Sequence, residues 1–293
     1  MFEIIKKSLG TGVVTSGYPN TPAEVSKYAR GKPAIDFPRW KDARPSAAIC
    51  PTGAIAFTDT NGQRTATLDL AKCIFCGLCA DVDPAIRMTN TCECAAPGRD
   101  DLVSRAVYSL TRDGAHDRLL DGPRAAAVEG ECIEAQGRQL KESLYSTLGR
   151  SLHIRQVDAG SCNGCEVEIV NLSGPIYDIE RFGIHFVASP RHADMLLVTG
   201  PVTRNMETAL KNTYDAMPAP RLVVAVGACG CSGGIFGRNY ATRGGVDQVV
   251  PVDVYIPGCP PNPHALLHGI LLAIGRMQRH RHSDPENSNE SGR

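Results

Sequence analysis

The run Cys73-Ile-Phe-Cys76-Gly-Leu-Cys79 constrains this chain more than any other feature, because three thiols spaced two residues apart reach one small space only from a tight loop. That spacing wraps three corners of a cubane [4Fe-4S] cluster, and in sequences with paired motifs the fourth corner comes from a distant Cys-Pro. Cys50-Pro51 supplies it. One complete ligand set is therefore expected from Cys50, Cys73, Cys76 and Cys79. The chain has 12 cysteines in 293 residues. Met1 to Gly10 has no apolar stretch like that of a secretory signal and no twin arginine, so a cytoplasmic chain is expected, in which clustered thiols bind metal and form no disulfide framework.

A chain with both clusters of the paired motif would carry three more cysteines before Cys50, and another before the proline that follows the triplet. Trp40, Ala43, Ser46 and Asp83 stand at those four positions. All four ligands of one site are missing together while the other site is whole. A one-cluster, ferredoxin-like α+β domain is expected over residues 1–97. Cys92 and Cys94 read as free thiols, the alternative being a second site of another kind that recruits them or Asp83. Cys132 is given no function. Residues 98–150 read as a helical connector of exposed helices and turns, with Ile133, Leu140, Leu144 and Leu148 at helical spacing in a packing helix over 131–148.

From residue 151 the pattern changes. Residues 152–157, 194–199, 221–226 and 252–256 read as short strands, and the middle two are nearly continuous apolar runs of the kind that parallel strands show when covered on both faces. Helices are expected over 165–172, 205–216 and 262–277, the last opened by Asn262-Pro263. The expected domain, 151–280, is an α/β flavodoxin-like fold with a parallel sheet, followed by a disordered polar tail over 281–293. Cys162 and Cys165 follow the first of these strands, Cys229 and Cys231 the third, and Cys259 the fourth. Three strand ends thus deliver thiols to the sheet edge at which open α/β sheets bind ligands, which suits a second [4Fe-4S] cluster, with a zinc site as the alternative. Spacing leaves Cys229 and Cys231 both open; Cys229, nearer the strand end, is preferred. Glu166 and Glu168 are candidates for passing protons or for favouring a helix start, and Arg191 and His192 read as a surface turn.

The first half resembles the polyferredoxin-type subunit of formate hydrogenlyase and related membrane-bound hydrogenases, on Phe2-Glu-Ile-Ile-Lys-Lys-Ser-Leu-Gly-Thr-Gly12, Tyr28-Ala-Arg-Gly-Lys-Pro33 and Cys73-Ile-Phe-Cys76-Gly77. Such subunits carry two clusters, so the missing set is this chain's departure. The second half resembles the small subunit of group 4 [NiFe] hydrogenases, similar to the 20 kDa subunit of respiratory complex I, on Ser161-Cys-Asn-Gly-Cys-Glu-Val-Glu168, Ser189-Pro-Arg-His-Ala-Asp194, Thr199-Gly-Pro-Val-Thr-Arg204 and Val252-Asp-Val-Tyr-Ile-Pro-Gly-Cys-Pro-Pro261. That resemblance implies Cys162, Cys165, Cys229 and Cys259 as ligands of the cluster nearest the active metal. Complex I has adjacent cysteines where this chain has Cys162-Asn-Gly-Cys165, which favours the hydrogenase side.

The implied function is that of an electron-transfer oxidoreductase subunit with two [4Fe-4S] clusters. Its partners would be a [NiFe] hydrogenase large subunit, membrane subunits and a low-potential electron donor, and its place the cytoplasmic face of the inner membrane. No paired motif here can hold nickel, so no catalytic residue is assigned to this chain. The alternatives are an iron–sulfur subunit of a complex I-like quinone- or ion-pump-linked oxidoreductase without nickel, and a zinc-binding structural or assembly protein. With 31 basic and 31 acidic residues the chain has no excess charge with which to hold nucleic acid. Its longest membrane-helix candidate, Leu266 to Ile274, is interrupted by His268 and Gly269 and is far short of the ~20 apolar residues a span needs.

Overall fold

In the computed structural model, which describes residues 2–18, 21–23, 25–26, 28–123 and 151–283, the four strand runs seen in the sequence become four strands of a five-stranded parallel sheet. Its strands are β7 (Leu152–Asp158), β8 (Ile184–Phe186), β9 (Met195–Thr199), β10 (Leu222–Val226) and β11 (Val254–Ile256). They lie side by side in the order β8-β7-β9-β10-β11. The chain therefore starts inside the sheet, adds one strand outward and then winds the other way, which puts a topological switch between β7 and β9.

Side-chain alternation explains why the middle strands are apolar nearly throughout. Met195 and Leu197 of β9, with Leu222, Val224 and Val226 of β10, point to one face, where Ile169 and Leu172 of α4 (Gly164–Leu172) and Leu266, Ile270 and Ile274 of α7 (Pro263–Ser283) cover them. Leu196, Val198, Val223 and Ala225 point to the other face, against Leu210 of α5 (Arg204–Asp215) and Val246. Both faces are dry, so these positions are apolar, and the one polar residue of the two strands, Thr199 at the end of β9, is hydrogen-bonded. The opening of α7 follows the expected chemistry: the Asn262 side chain accepts the N–H of Ala265 at 2.9 Å, and Pro263 stands at the first helical position. This helix runs past the expected end to Ser283, through the first three residues assigned to the tail, and no glycine or proline stands between Met277 and Pro285 to stop it.

The first half is antiparallel. A short pair joins β1 (Pro33–Ile35) to β4 (Ile86–Met88), and a four-stranded sheet runs β2 (Ile55–Thr60), β3 (Gln63–Asp69), β5 (Val103–Leu110) and β6 (His116–Asp121). Asn61 and Gly62, both at positive φ, form the two-residue turn between β2 and β3. Residues 98–121, expected as exposed helix and turn, thus carry two strands. Only one side of β5 is buried and most of β6 is exposed, which leaves little apolar pattern to read. The helix expected over 131–148, Cys132 and residues 284–293 lie outside the described residues. The remaining helices are α1 (Phe2–Thr11), α2 (Ala43–Ile49), α3 (Leu78–Val82) and α6 (Gly227–Ser232).

The halves share a core. Ala71, Ala96 and Leu102 pack with the second face of the parallel sheet. Ala96 exchanges two backbone hydrogen bonds with Tyr255, at 3.0 and 2.8 Å, and so covers the edge of β11. Among the described residues, no helix is long and apolar enough to cross a membrane.

The four positions that lack cysteines are filled by protein. Trp40 and Ala43 are buried with Ile55, Leu68, Ala106 and Tyr108. Ser46 donates to the buried Asp83 carboxylate at 3.2 Å, and the same side chain accepts the N–H of Ala85. Trp40 meets the rings of Tyr108 and His116 edge-on, these two are stacked at 3.8 Å, and the His116 Nδ1 bonds the Trp40 carbonyl at 2.7 Å. Trp40→Ala should cost ~3–5 kcal/mol of stability, as a large cavity in a packed core does; the urea midpoint checks this, and an unchanged midpoint would contradict the packing described.

Candidate metal centres

The Cys73 loop begins where β3 ends, with the N–H of Cys73 bonded to the Leu70 carbonyl at 3.1 Å. Phe75 (φ 55°) and Gly77 (φ 87°) turn it sharply enough for Cys73, Cys76 and, in the first turn of α3, Cys79 to line one space. Cys50 closes the set from the end of α2. Cys50, Cys73, Cys76 and Cys79 line one small cavity together with Thr52 and apolar residues, among them Pro33, Ile55, Leu68 and Met88. The N–H of Phe75 donates to the Cys73 sulfur at 3.4 Å, and Arg30 donates to the Cys76 carbonyl at 2.6 Å.

Burial pushes the Cys73 thiol up to about 12, and the nearby Cys79, Cys50 and Cys76 thiolates push in the same direction. Burial also works to raise Cys50, but the N–H groups of Ile55, Thr52 and Ala54 and the Thr52 hydroxyl outweigh it and hold that thiol below its usual value. Dry walls, four thiols and N–H donors aimed at sulfur fit an iron–sulfur core, whose positive iron offsets the mutual repulsion of four thiolates.

The second set stands at the carboxyl ends of the parallel strands. The loop after β7 is held by Asp158, whose Oδ1 accepts the N–H of Gly160 and Ser161 at 2.8 and 2.7 Å; Cys162 follows, and Cys165 lies in the first turn of α4. Cys229 is carried by α6, directly after β10, and Cys259 by the loop after β11. Burial drives Cys165 far above its usual value, with Glu166 and the Cys229, Cys259 and Cys162 thiolates adding to the effect. Cys229 is raised to about 11 by burial and then by Cys259 and Cys162. Cys162 and Cys259 are themselves exposed, so this set opens to the surface.

Glycine is required here. Gly227 has φ +77°, and a Cβ on it would lie 2.8 Å from the Cys165 sulfur; one on Gly234 would lie 2.9 Å from the Cys229 sulfur. Backbone and thiols are in closest approach around this set, which is how a protein cradles an anionic cluster.

Cys50, Cys73, Cys76 and Cys79 thus line one cavity, Cys162, Cys165, Cys229 and Cys259 stand at the carboxyl edge of the parallel sheet, and Cys229 and Cys231 face different surroundings. Cys231 is fully buried in the sheet core with its thiol 3.6 Å from the Ala225 carbonyl. Cys92 and Cys94 join neither group: their thiols lie 3.6 and 3.3 Å from the Asn90 and Cys92 carbonyls. Among the described residues no three His, Cys, Asp or Glu side chains close on a point as the ligands of a single metal ion would.

Two features escaped the sequence. Thr199, at the end of β9, donates a very short hydrogen bond to Glu166, whose second oxygen is buried without a hydrogen-bond partner among the described residues. Exposed Val167 and Val170 on α4, with Ile235 and Phe236 just after α6, form an apolar margin on the elements that carry Cys165 and Cys229. Solvent-facing valines on a short helix look like any surface helix in sequence, so only the fold reveals that they flank the thiols.

A parallel α/β sheet with four thiols at its carboxyl edge defines a small redox subunit, and this chain is an oxidoreductase subunit. It belongs to the family described as "NADH ubiquinone oxidoreductase, 20 Kd subunit", whose model matches residues 162–273. It is 49% identical over 144 residues to "Formate hydrogenlyase subunit 7" of Escherichia coli, a match covering 49% of this chain and 56% of that protein. It is 47% identical over 136 residues to the "Probable membrane-bound hydrogenase subunit mbhJ" of Pyrococcus furiosus, covering 46% of this chain and 81% of that one. A third relative is an NADH-quinone oxidoreductase subunit of Citrifermentans bemidjiense, 47% identical over 119 residues, 41% of this chain and 69% of the relative. The chain thus spans little more than half the length of the formate hydrogenlyase subunit.

Gly227→Ala should destabilise the protein by at least ~1–2 kcal/mol, the cost of a side chain in the left-handed region, before any push on Cys165 is counted. Equilibrium unfolding in urea measures it; a variant as stable as the parent would contradict the close approach.

Proposed function

We propose that this chain is the electron-transfer subunit of a membrane-associated, formate hydrogenlyase-like group 4 [NiFe] hydrogenase complex, built as a ferredoxin-like module followed by a flavodoxin-like module. The observation that carries the reading is the gathering of eight thiols into two sets of four. Cys50, Cys73, Cys76 and Cys79 would hold one [4Fe-4S] cluster, and Cys162, Cys165, Cys229 and Cys259 a second. When bound, such clusters supply one-electron carriers. What the chain's own residues do is position, dry and tune them.

The N–H donors at Cys50 and Cys73 stabilise extra negative charge on sulfur, so they favour the reduced form of the first site. At the second site the apolar margin of Val167, Val170, Ile235 and Phe236 suits a large subunit that covers the exposed Cys162 and Cys259 and excludes water. Glu166, bonded to Thr199 beside Cys165, is the side chain best placed to carry a proton across that interface. The sheet order, with its switch between β7 and β9, is that of flavodoxin-like folds and supports the second module.

A complex I-like subunit without nickel is the second reading, favoured by the 47% identity to the Citrifermentans protein of an NADH-quinone oxidoreductase. The separated pair Cys162-Asn163-Gly164-Cys165 and the hydrogenase relatives favour the first. The peripheral placement follows from relatives described as membrane-bound, together with a chain whose described helices do not span.

In the assembled complex, Cys73→Ser should abolish donor-driven turnover and leave hydrogen oxidation with an artificial dye largely intact, whereas Cys162→Ser should impair both. Assays with each acceptor separate these outcomes; full donor-driven turnover in Cys73→Ser would refute the relay order.

A further inference from the structure

Among the described residues α1 buries none of its side chains. Among its residues Phe2 is 89% exposed, Ile4 73%, Ile5 50% and Leu9 79%, none is buried, and Val13 beyond it is 91% exposed. At 3.6 residues per turn, Phe2, Ile5 and Leu9 fall within an arc of about 60°, and Ile4 and Ser8 extend that side. Lys6, Lys7 and Glu3 occupy the opposite half, with Lys6 bordering the apolar row. The chain is tied to the body only after this helix, where the Thr15 hydroxyl donates to the Pro175 carbonyl at 2.9 Å and the Ser16 N–H to Ile176 at 2.7 Å. Between them, nothing lies within 4 Å of where a Cβ on Gly10 or Gly12 would stand, so the helix stands clear of the core.

A ten-residue helix has too few turns to be stable alone in water, where isolated helices shorter than ~12–15 residues are marginal. It needs a surface that takes its apolar row. We infer that α1 lies in the headgroup region of an anionic lipid bilayer, parallel to the membrane, and is the element that holds this chain at its surface. The inference deepens the membrane-associated reading above and rests on it.

Charge selects this occupant. Lys6 borders the apolar row, so Phe2, Ile5 and Leu9 can enter the acyl boundary while Lys6 reaches back to phosphates, and with Lys7 beside Glu3 the helix keeps a positive balance. Each lysine near such a surface adds attraction that salt weakens. The row has no central anchor enclosed by a polar rim, the arrangement expected of a helix made to fill a groove in a protein.

The test is co-flotation of the full chain with vesicles of phosphatidylcholine and phosphatidylglycerol in equal parts. Most of the protein should float, at least tenfold more than the Ile5→Glu/Leu9→Glu variant, and severalfold less should float with phosphatidylcholine alone or after Lys6→Glu/Lys7→Glu. None of these side chains is buried, so the variants keep the core. A wild-type chain that stays in the aqueous phase, or a double-glutamate variant that floats as well as the parent, would overturn the inference, as would binding of this face to an integral membrane subunit without binding to vesicles. Iron and sulfide content, which these substitutions leave unchanged, reports separately on the cluster reading: protein without iron that still floats keeps the membrane contact and loses the electron-transfer function.

Discussion

Mutual repulsion among thiols brought together out of water is the constraint on which both halves of this molecule turn. Cys73 and Cys165 are each raised above their usual value, first by burial; the thiolates of its own set add to this at Cys73, and Glu166 and then the thiolates at Cys165. A fold gains nothing from such an arrangement unless something positive compensates it. The first half reaches it with a loop bent at Phe75 and Gly77, the second by stopping three parallel strands at one edge. Glycine at 227 and 234 then admits sulfur where a side chain would stand.

The contrast with the four positions that lack cysteine makes the same point. There, Trp40 and Ala43 are packed into core and Ser46 and Asp83 are hydrogen-bonded to each other. Tyr108 and His116, which complete that packing, come from β5 and β6. The loss of thiols and the extension of the sheet are therefore one structural change, in which rings and methyl groups occupy volume that a cluster would have filled.

The sequence made some of this legible and hid the rest for physical reasons. Leu222–Val226 and Met195–Thr199 could be recognised because a strand buried on both faces is apolar nearly throughout, Thr199 at the end of β9 being the one exception. β8 has three residues, Ile184-His185-Phe186, too few for a period, and α6 is a glycine-rich turn of helix. β6 was hidden by its exposure. The ligand spacing of Cys73-x2-Cys76-x2-Cys79 survives in one dimension because a loop is local. The choice between Cys229 and Cys231 does not, since it depends on which side of a short helix faces the sheet core, and the structure buries Cys231 there. The dependence of the two halves on each other, through Ala96 and Tyr255, has no sequence signature.

The central claim is that each set of four thiols holds a cubane cluster, and iron and acid-labile sulfide per chain test it most directly, measured on protein prepared without oxygen and followed by EPR after dithionite reduction. Two cubanes predict about eight iron and eight sulfide, with two interacting reduced signals. Zinc without sulfide, or about four iron, would contradict the account.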